Sequence, residues 1–126
     1  MGVVYHANYL VWMEVGRVEL VRSLGINYHD LESREGLLLS VVEVECRYLA
    51  PAKYDQEVAV HTAIEEMNAR LLRFKYTIQN AASGQLLTRG FTRHMWLNRE
   101  FKPTKLPERY LEMLRGALPA FIEEVR

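Results

Sequence analysis

Hydrophobic and polar residues alternate with period two through four separate stretches of this chain. Val42, Val44, Cys46 and Tyr48 fall on one side of the first stretch, with Glu43, Glu45 and Arg47 on the other. That is the pattern of a strand with one wet face. Pro51 and the Lys53-Tyr54-Asp55 segment end it. A second strand carries Val58, Val60, Thr62 and Ile64 on one face, and Asn68 marks the turn after it. Leu72, Phe74, Tyr76 and Ile78 alternate against Arg73, Lys75 and Thr77 in a third. Asn80-Ala81-Ala82-Ser83-Gly84 supplies the residues of a hairpin loop, and a fourth strand is predicted from about Leu86 to Leu97.

Ahead of the strands, the pattern is helical from about Ala7 to Leu24, with Asn8 near the start and Gly25 where a left-handed C-terminal cap is wanted. Trp12, Gly16, Tyr9, Leu20, Met13, Leu24, Leu10 and Val21 form one broad apolar arc, yet Val11, Val15 and Val18 lie on the other side. A helix of this kind is covered on more than one face. Gly16 costs about 1 kcal/mol in a helix interior relative to alanine, which is tolerable if it lets the helix press close to a sheet. Pro107 suits the first turn of a second helix through about Leu114, and Pro119 limits its continuation. One mostly buried helix, four antiparallel strands and a terminal helix make an α+β domain in which the sheet must wrap the first helix.

At 126 residues the chain fits a single domain that can fold without metal or disulfide support. Lys plus Arg equals Asp plus Glu, 16 each, so no net charge points to nucleic acid or an anionic membrane. Cys46 is the only cysteine, which excludes an internal disulfide and suits a cytoplasmic setting. The apolar start, Met1 to Val4, is broken by His6 and Asn8 and has no basic flank, so neither signal peptide nor membrane anchor is expected. His29, His61 and His94 are scattered without metal spacing. No cofactor or metal is expected.

Gly2-Val3-Val4-Tyr5-His6-Ala7-Asn8-Tyr9-Leu10, followed by Glu14 and Arg17, resembles the Asp-x-x-Gly-Val-Val-Tyr-His-x-x-Tyr signature of the YbgC and 4-hydroxybenzoyl-CoA thioesterases. The resemblance extends to the Tyr48-Leu49-Ala50-Pro51-Ala52-Lys53-Tyr54-Asp55 corner and the four-strand succession. It implies a hotdog fold, a curved antiparallel sheet around a long central helix, assembled as a homodimer or homotetramer. It also implies hydrolysis of an acyl-CoA, or of an acyl group on acyl carrier protein, to free acid and thiol. The alternative is a non-catalytic hotdog that binds the same ligands.

By the resemblance the thioester sits at the helix N-terminus, where unpaired N–H groups and the positive dipole end stabilise charge on the carbonyl oxygen. His6 would supply the polarising N–H, and its imidazole could orient water or the thioester. The family's catalytic carboxylate stands three residues before the motif glycine, here Gly2. That slot lies before residue 1, so both this aspartate and the strand leading into it are expected to be missing. Glu14 becomes a substitute candidate for the base, although a partly buried ion pair with Arg17 is its other reading. Tyr5, Tyr9 and Met13 are candidates for the acyl pocket, with core packing the competing role for the last two. Arg70 is a candidate for the CoA phosphates, with Arg73, Lys102 and Lys105 as further basic groups in reach of that role.

Overall fold

The computed structural model describes residues 7–53, 55–118 and 121–125, the last stretch and residue 7 by their backbone. Strands β1 (Leu38–Tyr48), β2 (Val58–Met67), β3 (Leu71–Asn80), β4 (Leu86–Leu97) and β5 (Phe121–Val125) form one antiparallel sheet in the order β1-β4-β3-β2-β5. Helix α1 (Ala7–Ser23) lies against this sheet. A short turn, α2 (Tyr28–Asp30), runs into a π-helical turn over Leu31–Glu35, and α3 (Glu108–Arg115) follows β4.

Alternation sorted the faces of β2 and β3 correctly. Val58, Val60, Thr62 and Ile64 of β2 and Leu72, Phe74, Tyr76 and Ile78 of β3 are all buried. They form a core with Met13, Leu20 and Val21 of α1 and Trp96 of β4. Side chains of period-two strands that face one helix are mostly apolar, because burying a polar group is costly, and this makes the pattern legible in the sequence.

Gly16 explains how α1 comes so close to the sheet. A Cβ built there would collide with Thr62 Oγ1 and lie 3.2 Å from Val60 Cγ1, so only glycine lets the helix backbone rest on β2 at this point. The helix ends at Gly25, whose φ of 89° is the left-handed conformation expected of a C-terminal cap.

Two features differ from the alternation pattern. The register of β1 on β4 shifts between Val41 and Glu43, a bulge that places Val42 out of phase. Val41 therefore joins Val44 on the helix side in place of Val42. The second difference is β5, which pairs with β2 at the far edge of the sheet. Its sequence, Phe-Ile-Glu-Glu-Val, has no alternation to reveal it.

Candidate active site

Between α1 and the edge strand β1 runs a groove of about 220 Å³. Its rim is apolar and open: Leu10 and Val11 on the helix face Val41 and Val44 on the strand, and all four are exposed. Its floor is Met13 and Thr92, both buried. Two charged residues of α1 line it as well, Glu14 on the exposed side and Arg17 half-buried.

Beneath Thr92 lies a buried chain of hydrogen bonds whose direction follows from chemistry. The Ser40 carbonyl can only accept, so the His94 Nδ1 at 3.1 Å carries the proton. In the neutral ring Nε2 is then an acceptor, and the Thr92 hydroxyl at 2.7 Å donates to it. Thr92 Oγ1 in turn accepts from the Tyr76 hydroxyl at 2.6 Å. Burial, reinforced by the charge of Arg17, pushes the His94 pKa down to about 4, against the opposing pull of the Ser40 carbonyl. The ring is neutral at pH 7. Burial likewise holds the Tyr28 and Tyr76 phenols above their ordinary range, with Arg17 pulling both back. Arg17 thus acts electrostatically on three interior groups.

The residues singled out from sequence fall in different places. Met13 and Glu14 line the groove. Tyr9 is buried; its hydroxyl accepts from the Ala52 N–H at 2.9 Å, and its ring meets Trp12 and Tyr48 edge-on at 5.1 and 5.2 Å. Tyr9 thereby ties the start of α1 to the Pro51-Ala52 corner. Glu14 and Arg17 form no ion pair among the described residues, because Arg17 turns inward toward Tyr76. Arg70 is exposed in the turn between β2 and β3, with its N–H held by Asn68 Oδ1 at 2.8 Å. Arg73 is instead engaged, paired with Glu65 at 3.0 Å and stacked 3.7 Å over the Phe91 ring. Tyr5 and His6 lie outside the described residues.

Sequence reasoning passed over the His94 chain. The signal was present: Thr92 and His94 are polar at inward positions of β4, and buried polar side chains in such positions are usually hydrogen-bonded internally. No group of three or more His, Cys, Asp or Glu suited to a metal occurs among the described residues. No helix among them is long and apolar enough to cross a membrane.

The family profile described as the thioesterase-like superfamily matches residues 1–117. The chain belongs to that superfamily. It is 44% identical over 104 residues to YneP of Bacillus subtilis, provisionally assigned as an acyl-CoA thioesterase, covering 82% of this chain and 74% of YneP. A crystal structure of a hypothetical protein from Thermus thermophilus superposes with a TM-score of 0.86 at 35% identity, covering 93% of this chain and 88% of that one. The DHNA-CoA thioesterase of Staphylococcus aureus superposes with a TM-score of 0.82 at 34% identity, covering 94% and 78%. The α+β hotdog architecture expected from the signature is the one these structures share.

Proposed function

We propose that this protein hydrolyses acyl-CoA thioesters, releasing a free acid and CoA. The observation that carries this reading is the groove beside α1 in a chain of the thioesterase-like superfamily. At about 220 Å³ it is below the usual range of roughly 300–1,000 Å³ for sites that enclose a drug-sized ligand. It suits the acyl part of the substrate, with the nucleotide left outside.

The thioester carbonyl belongs at the N-terminal end of α1. The first turn of this helix holds no acidic residue, so nothing within that turn offsets its positive dipole end. Charge that develops on the oxygen as water attacks is stabilised there, with the His6 N–H and imidazole as the polarising groups. Removal of a proton from the attacking water needs a base. Glu14 is the carboxylate in the lining of the groove and takes that role within this sequence.

A second copy of the chain is the natural cover for the rim. Val11 and Val41 are each more than half exposed, at 54% and 51%, and among the described residues β1 is an edge strand of the sheet. Pairing two copies there as a homodimer, or two dimers as a homotetramer, would remove apolar surface and an open edge together. A cytoplasmic setting fits the unpaired Cys46. Acyl carrier protein is the alternative thiol carrier.

The test is a thiol-release assay with acyl-CoA substrates, run beside Glu14→Gln. Turnover that falls by about 10²–10⁴ in the variant assigns the base to α1. Retained turnover moves the base to another group. Tight acyl-CoA binding with no turnover in the unaltered protein would replace hydrolysis by the binding-module reading.

A further inference from the structure

We propose that the face of the sheet turned away from α1 carries a site for a phosphate-bearing ligand, held by Arg47, Arg89 and Lys75 together with the hydroxyl of Thr77. This site is separate from the α1–β1 groove and does not depend on how the groove is read.

Strand register brings these groups together. Cys46 packs against the core and Tyr48 meets Tyr9, so Arg47 between them points to the other side of β1. On β4 the buried Thr88 and Thr92 set the inward phase, which leaves Arg89 and Phe91 outside. On β3 the buried Phe74, Tyr76 and Ile78 do the same for Lys75 and Thr77. Arg47 stands directly opposite Arg89, and Arg89 stands directly opposite Thr77 on its other flank. Lys75 lies two residues before Thr77, opposite Phe91. With neighbouring strands about 5 Å apart and same-face residues about 7 Å apart along a strand, the four side chains start within roughly 12 Å of one another. All four line one cavity of about 370 Å³.

The charge in this cavity is unbalanced. Its lining holds four cations, Arg47, Arg73, Lys75 and Arg89, against two carboxylates, Glu45 and Glu65. Arg73 is engaged by Glu65 at 3.0 Å and by the Phe91 ring. Three cations then face Glu45 alone, and none of the three forms an ion pair among the described residues. Like charges opposite each other on antiparallel strands destabilise the pair, and an anion between them turns repulsion into attraction. Two guanidinium forks, an ammonium and a hydroxyl offer more donors than the two oxygens of a carboxylate can accept. A phosphate group, with three acceptor oxygens and nearly two charges, matches them. The cavity lies within the range of roughly 300–1,000 Å³ that encloses small molecules, so it has room for a nucleotide beyond the phosphate. The nucleotide end of CoA and a free phosphate compound share this chemistry.

The experiment is calorimetric titration of the full chain with inorganic diphosphate and with ADP at low ionic strength. It is run beside the double variant Arg47→Gln/Arg89→Gln and beside Arg34→Gln, an exposed cation outside the cavity. Binding should weaken by about tenfold or more in the double variant, change by less than about twofold in Arg34→Gln, and fall as salt is added. Without ligand the double variant should keep or raise Tm, because the repulsion is gone, so that lost binding is distinct from lost fold. Should the double variant not fold, Lys75→Gln decides, and should weaken binding by a smaller factor. Thiol release then tells the two sources apart. A higher KM for acyl-CoA in the double variant, with no change for a pantetheine thioester, identifies the phosphate as the substrate's own; lost diphosphate binding with an unchanged KM identifies a separate phosphate compound. No binding of either probe, binding untouched by the cavity variants, or binding weakened equally by Arg34→Gln overturns the inference, whether or not the protein hydrolyses thioesters.

Discussion

His94 on β4 and Ser40 on the edge strand β1 are joined by a hydrogen bond from the buried imidazole Nδ1–H to a backbone carbonyl, at 3.1 Å. The bond helps to hold an edge strand that is exposed along most of its length. It also makes the fold sensitive to acid. The His94 pKa is about 4 in the folded protein against 6.5 in the unfolded chain. Between these values the unfolded state binds more protons, so stability rises with pH. The contribution is complete above about pH 6.5, declines as pH falls toward 4, and changes little further below it. The shift corresponds to at most about 3 kcal/mol. Urea titrations at pH 4 to 8 should show this slope, and His94→Gln, which cannot titrate, should flatten it. A slope unchanged in the variant would place the sensitivity elsewhere.

Gly16→Ala pits two effects against each other. Alanine gains up to about 1 kcal/mol of helix propensity. The new methyl collides with Thr62 Oγ1 on β2, and overpacking of this kind typically costs about 1–3 kcal/mol. The collision should win, with a lower Tm as the result. Combining Gly16→Ala with Thr62→Ala opens the space again, so the double variant should be more stable than the two single losses add up to.

Tyr9 and Met13 sit on the same helix face but should answer differently to mutation. Tyr9→Phe leaves the buried Ala52 N–H without its acceptor and should cost about 1–3 kcal/mol, with little change in acyl preference. Met13→Ala enlarges the floor of the groove, so it should shift preference toward bulkier acyl groups as well as cost about 2–5 kcal/mol. Selectivity ratios unmoved by Met13→Ala would make this side chain core packing alone.

These contrasts follow the line between what was legible in the sequence and what was not. Period-two burial in β2 and β3, the hairpin at Asn80 and the cap at Gly25 are local effects, each set by a residue and its near neighbours. The bulge at Val42 is not local; it depends on which residues of β4 stand opposite. β5 needs β2 to exist as a strand. The inward turn of Arg17 depends on Tyr76 and His94 arriving from two other strands, whereas spacing along α1 alone offered Glu14 as its partner. The groove is made by just these non-local meetings.

Arg70 offers a test of how the CoA end is held. The start of α1 lies near the Tyr48–Thr88 end of the sheet, since Tyr9 meets Tyr48 and Ala52 there. Arg70 lies near the other end, where its carbonyl accepts from the Trp96 N–H at 3.2 Å. Eight residues of β4 separate Thr88 from Trp96, about 26 Å at strand rise. A phosphate contact at Arg70 is therefore remote from the thioester of the same chain, and should contribute binding and not chemistry. Arg70→Ala should raise KM for acyl-CoA with kcat nearly unchanged, and should leave KM for small thioesters without the nucleotide untouched. If the contact is made across a subunit boundary, the KM effect should disappear along with activity on dilution below the dimer's Kd. Equal KM values for acyl-CoA before and after the mutation would remove Arg70 from the site, leaving Lys102 and Lys105 in the loop after β4 as the next cations to replace.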